Sequence, residues 1–201
     1  MKVWDYKYWV AHITFDSVGT GYFHAKELFK TFKTPNKGKI IALQGLLANT
    51  PAIERFQGLK KALAENPGVE LLPWEGVDWD RTKGYNATKA MLVAHPGVDG
   101  VWSANDEMAM GAIQALKEAG YACSTGYQDS KYQAQLGLMM SKAAKEGKLD
   151  VAKLPHKYRS FKISGVEVNK ENIDKVMKDY ANLSPEYDFS DFFAKWAAEA
   201  P

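Results

Sequence analysis

This chain of 201 residues has a single cysteine, Cys123, so an internal disulfide is excluded and the redox compartment stays undetermined. No apolar run approaches the roughly 20 residues of a helical membrane span, so no membrane insertion is expected. The amino end, MKVWDYKYWVAHITFD, lacks the unbroken apolar core of a secretory signal. As written, the chain would stay in the cytoplasm unless a leader was removed or never included. An excess of one charge is missing too: 26 basic residues against 24 acidic ones leave +2, with both signs interspersed. A nucleic-acid partner is therefore not expected.

Catalytic and metal signatures are equally sparse. The four histidines, His12, His24, His95 and His156, are scattered and show no zinc spacing. Gly19 and Gly21 in SVGTGYFHAKELF lack the third glycine of a dinucleotide loop, and no Walker lysine follows. Serine and cysteine occur in no nucleophile-elbow pattern, and no general base stands beside a nucleophile. No metal and no cofactor are expected, and the missing nucleophile–base pair argues against a hydrolase.

What is present is a beat. A chain of this length buries about 70% of its unfolded surface and needs no covalent staple. GKIIALQG, from Gly38, is a continuous apolar run with glycine at both ends. Thr50 and Pro51 read as a helix cap and first turn, and Ile53, Phe56, Leu59 and Leu63 fall on one helical face. NPG at Asn66 to Gly68 breaks the chain before a second strand, VELLPW. Asp80 can cap the next helix, with Tyr85, Met91 and Leu92 as core candidates. HPG at His95 to Gly97 breaks it again, and VDGVWSA is the third strand. In the following helix Met108, Ala112, Ile113 and Leu116 recur at steps of three and four until Gly120 offers a stop.

A period of about thirty residues is that of a βαβ unit. Unbroken apolar strands alternating with amphipathic helices predict a parallel sheet covered on both faces, an α/β three-layer sandwich. VAHITF with GYFHAKELFKTF offers one more unit upstream. Downstream the beat fails. A helix pattern from Tyr132 to Glu146 ends at Gly147, RSFKISGVEV reads as a strand or ribbon, and Asn169 can cap ENIDKVMKDY before a last tail.

Parallel strands place the segments that follow them on one edge of the sheet, where such sheets bind ligands. Those segments hold Asn49, Arg55, Asp78, Trp79, Asp80, Arg81, Asn105 and Asp106. An indole plate, a guanidinium fork, amides and carboxylates suit a small polyhydroxylated ligand. Each residue also has a plainer role. Arg55 can be a solvated helix residue, Trp79 can be core, Asp80 can be a cap, and either Asn105 or Asp106 can cap the helix that begins there.

WSANDEMAMGAIQALKEAG resembles the ANDEMALGA stretch of type I periplasmic binding proteins, the ribose-binding-like receptors of sugar ABC transporters. GKIIALQGLLANTPAIERFQGLKKALAENPGVELL and VDWDRTKGYNATKAML are similar to the two preceding blocks, and the likeness runs from Ala11 to Asp174. The resemblance implies a two-lobed fold holding a monosaccharide, an ABC permease as partner, and a periplasmic location. It implies sugar contacts at Arg55, Trp79 and Asn105, with a last contact near Gln128 and Asp129. Asn105 would then face the ligand while Asp106 caps.

Departures from the family pattern are also legible. Most of the amino-terminal lobe has no counterpart, and neither has the aspartate-bearing strand that follows Gly120 in relatives. The expected organisation is a hinge strand over 1–16, a carboxy-terminal-lobe-like α/β domain over 17–127, and a crossover helix, hinge strand and tail over 128–201. Two other classes share the architecture. One is the effector domain of a LacI-type regulator, whose helix-turn-helix is not found here; the other is an α/β enzyme.

Overall fold

In the computed structural model, Gly38–Gln44 forms the central strand of a three-stranded parallel sheet. The structure describes residues 12–121 and, further along, 141, 144–147, 160–163, 174–175 and 178. It divides into two compact units, Ser17–Tyr127 in one and Met1–Asp16 with Gln128–Pro201 in the other.

In chain order the described elements are β1 (His12–Phe15), α1 (Ser17–Lys30), β2 (Gly38–Gln44), α2 (Thr50–Glu65) and β3 (Val69–Gly76). They continue with α3 (Arg81–Ala94), β4 (Gly100–Ser103), α4 (Asp106–Glu118) and β5 (Ser160–Ile163). The larger unit has strand order β3-β2-β4. Ile40 stands opposite Leu71 on one side and Gly100 on the other, and Leu43 stands opposite Glu75 and Ser103. The register of β2 against β3 shifts between Ile40 and Ala42, where β3 carries Pro73. Proline cannot donate to a ladder, and an irregularity in an edge strand accommodates it.

Ile40, Ile41, Ala42 and Leu43 are all fully buried, so both faces of β2 are covered. Leaving β2 for β3 on one side and crossing back to β4 on the other, right-handed connections put α2 and α3 on opposite faces. Helix α1 packs beside α2, and α4 beside α3. Both pairs cross where glycines permit backbone contact. A Cβ on Gly21 or Gly58 would strike the backbone of the facing helix at Arg55 or at Val18 and Tyr22. Gly84 and Gly111 do the same for α3 and α4. The core between the layers is built on Phe29, Phe56, Leu59, Met91, Trp102 and Met108. Trp102 resolves its polar atom by donating from Nε1 to the Gly21 carbonyl at 3.2 Å.

The expected rhythm holds through Gly120, which ends α4 in a left-handed conformation at φ 83°. Tyr121 N then bonds back to Leu116 O at 2.8 Å, the reversed closure that a glycine there permits. Some expected positions differ. Ile53 is exposed, because the buried face of α2 runs through Ala52, Phe56, Leu59 and Ala62. Tyr85 is half-buried and turns its hydroxyl out to donate to Glu118 at 2.7 Å. Asn49, not Thr50, is the N-cap residue of α2, and Thr50 and Pro51 open its first turn.

In the other unit, β1 runs parallel to β5, with His12 opposite Ser160 and Phe15 opposite Ile163. The upstream strand therefore does not join the three-stranded sheet. Most of the helix expected over Tyr132 to Glu146, the cap expected at Asn169 and the tail lie outside the described residues.

Candidate functional site

Three loops leave the carboxyl edge of the sheet. The ladder does not stop at the strands. Val77 N donates to Gln44 O at 2.9 Å and Ala104 N to Leu43 O at 3.0 Å, so the loops after β3 and β4 are tied to the end of β2. What these ties fix is the starting direction of each loop.

The loop after β3 is a tight one. Asp78 and Trp79 are both left-handed, at φ 54° and 65°, a conformation uncommon for residues other than glycine. Two anchors hold them. Asp78 pairs with Lys83 Nζ at 2.7 Å, and the Asp80 carboxylate caps α3 by accepting from Lys83 N at 2.8 Å. The expectation for Asp80 as a cap is met. The turn delivers the Trp79 indole, half-buried, to a place over Gly45 at the end of β2.

Arg55 approaches the same indole from α2, its Cζ 5.7 Å from the ring centroid, within cation–π range. Its Nη1 donates to the carbonyl of Ala104, the residue before Asn105. Desolvation lowers the pKa of this guanidinium, and the Asp106 charge partly restores it. The Asp106 carboxyl is pushed up by desolvation, drawn back by Arg55, and raised further by Glu107. Arg55 also acts on His24 of α1, whose pKa is lowered first by burial and then by the guanidinium.

Arg55, Trp79, Ala104, Asp106 and His24 thus form one neighbourhood, built from helices α1, α2 and α4 and the loops after β3 and β4. Arg81 lies at its margin, in an exposed ion pair with Glu107 at 3.0 Å.

Asn105 and Asp106 divide their roles in the reverse of the expected way. Asn105 is the N-cap of α4, its Oδ1 accepting from Met108 N at 2.9 Å, and Asp106 is the first residue of the helix. The carboxylate, not the carboxamide, is the member in electrostatic contact with Arg55. Asn49 occupies the N-cap position of α2 but makes no side-chain cap, and its buried Oδ1 accepts no hydrogen bond among the described residues. Gln128 and Asp129 lie outside the described residues. His24 and Gly45 were not among the sequence candidates. Nothing in the spacing of α1 marks His24; the α1–α2 crossing alone brings it to Arg55.

A family model for the periplasmic binding protein domain matches residues 8–151. The chain belongs to that family. It is similar to the ribose import binding protein of Salmonella typhimurium, with 36% identity over 173 residues, covering 84% of this chain and 53% of that protein. With the ribose import binding protein of Escherichia coli K12 it shares 39% identity over 111 residues, 55% of this chain and 36% of the relative. A solved structure of a twin-arginine translocation pathway signal protein from Burkholderia phytofirmans superimposes with a TM-score of 0.83. That pair is 32% identical and covers 94% of this chain and 65% of the other.

The periplasmic component of an arabinose ABC transporter from Shewanella sp. ANA-3 shares the fold, with a TM-score of 0.72 at 24% identity, covering 93% of this chain and 69% of that one. The architecture is that of type I periplasmic binding proteins, of which this chain carries part. It spans about half the length of the ribose-binding relative from Salmonella. The ribose relatives are named as import binding proteins and the Shewanella protein as a periplasmic component of an ABC transporter, which lends the LacI-type regulator reading no support.

Proposed function

We propose that this periplasmic binding protein domain takes up a monosaccharide at the loops leaving β2, β3 and β4, as the solute-binding part of an ABC-type uptake system that delivers to a permease. The observation that carries the proposal is the Arg55–Trp79 pair, a cation and an aromatic plate 5.7 Å apart. A sugar ring has an apolar C–H face and a rim of hydroxyls. The indole matches the first and the guanidinium the second. Hydrogen bonds to charged groups contribute about 1.5–3 kcal/mol each, so Arg55 and Asp106 together supply a substantial part of a micromolar affinity of about −8 kcal/mol. Asn49, with its buried acceptor, and the amide nitrogen of Asn105 are proposed to complete the set; Gln128 and Asp129, which the family resemblance implies as further contacts, lie outside the described residues. No step of chemistry is involved.

The test is a titration of the chain with D-ribose, D-allose and L-arabinose, followed by tryptophan fluorescence and by thermal melting. A ligand at a hundred times its dissociation constant stabilises by about 2.7 kcal/mol. One sugar should give a saturable response, and Arg55→Ala and Trp79→Ala should each abolish it. A flat response to every sugar at millimolar concentration rejects the proposal.

A further inference from the structure

The Trp79 indole needs a place to lie. Its backbone is left-handed, its neighbours Asp78 and Asp80 are anchored through Lys83, and its ring comes down across the end of β2. The residue beneath it is Gly45. A Cβ built there would overlap Cζ2, Cε2 and Cη2, all atoms of the six-membered ring, far inside the 3.0 Å that real Cβ atoms respect. Gly45 is buried and its φ lies outside the left-handed range, so glycine is not required there by the backbone. The three nearest atoms that a Cβ there would meet all belong to the indole. The neighbouring loop repeats the arrangement in reverse: a Cβ on Gly76, at the end of β3, would stand 2.8 Å from Leu47 Cδ2, a side chain of the loop after β2. Each loop thus lays a side chain over a glycine at the other's root, and the bond from Val77 N to Gln44 O joins the two roots.

We infer that Gly45 is a positioning residue for the ligand site, a seat whose missing side chain lets the Trp79 ring lie flat on the end of β2 and within reach of Arg55. The inference rests on the proposed sugar-binding role only for its effect on affinity. Its structural half stands independently of any ligand. A methyl group at position 45 lifts the ring off the sheet, and since the ring is rigid and its backbone pinned, the ring can yield only by swinging toward solvent. The cation–aromatic pair then opens. Gly76 positions Leu47 on the same principle, but Leu47 is about half exposed and has room to give way.

The test is a double-mutant cycle on the full chain with Gly45→Ala, Trp79→Ala and the pair together. Gly45→Ala alone should lower the melting temperature by about 3 °C or more, the scale expected of overpacking in a domain of this size. In the Trp79→Ala background the same substitution should cost nothing, or raise the melting temperature slightly by stiffening the unfolded chain. Near-ultraviolet circular dichroism should show Gly45→Ala losing the same tryptophan band that Trp79→Ala removes. An equal loss of stability with and without the indole overturns the inference, since the glycine would then serve the strand rather than the ring. A sugar titration separates the two readings. Weakening of D-ribose binding by tenfold or more in Gly45→Ala, with the fold intact, supports both. Coupling between Gly45 and Trp79 in a chain that binds no sugar supports the seat and removes the proposed function.

Discussion

Asn105 caps α4, and the second job proposed for the same side chain can be separated from the first. Its oxygen caps α4, while the remaining amide nitrogen is proposed for the ligand. Asn105→Ala should cost about 1 kcal/mol of stability in a urea titration, because a helix loses its cap. Asn105→Asp keeps an acceptor at the cap and should retain nearly all of that stability, yet it lacks the amide donor and should bind sugar less tightly. Equal destabilisation by both variants would contradict the cap. His24 offers a second residue-level test. Burial and Arg55 hold its folded pKa below the ordinary 6.5, so the unfolded chain binds the proton more readily. Stability is therefore full above about pH 6.5 and declines as the pH falls from there toward the lowered folded value. Melting curves should show His24→Gln with a shallower loss between pH 7 and pH 5 than the parent; an unchanged slope would show that His24 does not titrate as the structure implies.

At the scale of elements, the two helix pairs depend on closeness more than on apolar area. The backbone of α2 at Gly58 lies against Val18 and Tyr22 of α1, so Gly58→Val must push the helices apart. The expected cost is about 3 kcal/mol, read from chemical denaturation. Met110→Ala, on the exposed side of α4, should stay within about 0.5 kcal/mol. A Gly58→Val chain as stable as the parent would refute the close crossing. The same scale explains what was legible in the sequence. β2, β3 and β4 were readable because apolar runs bounded by NPG and HPG leave few alternatives, and Asp80 was readable as a cap because it precedes the helix it closes. The assignment of Asn105 against Asp106 was not, since both side chains can accept from a helix terminus and the outcome turns on a one-residue difference in where α4 begins. The partner of β1 was not legible for another reason: β5 lies far along the chain, and local pattern carries no information on such pairing. Arg55 and Trp79 fell on the predicted edge of the sheet, whereas His24 and Gly45 gain their places only from the α1–α2 crossing and the loop contact.

For the whole molecule, the chain belongs to the periplasmic binding protein family, and the proposed activity rests on one group of side chains in the larger unit. Most charges of the loops are matched locally: Arg55 is answered by Asp106, Asp78 by Lys83, and Glu107 by Arg81. The chain covers about half of the length of the ribose-binding relative from Salmonella. The most direct measurement is the indole N–H region of a nitrogen–proton correlation spectrum during sugar addition, with Trp79 assigned by substitution. The account predicts a saturable displacement of the Trp79 signal, with the enclosed Trp102 signal staying in place. A sugar that binds while the Trp79 signal stands still, or a spectrum that no monosaccharide disturbs, would contradict it.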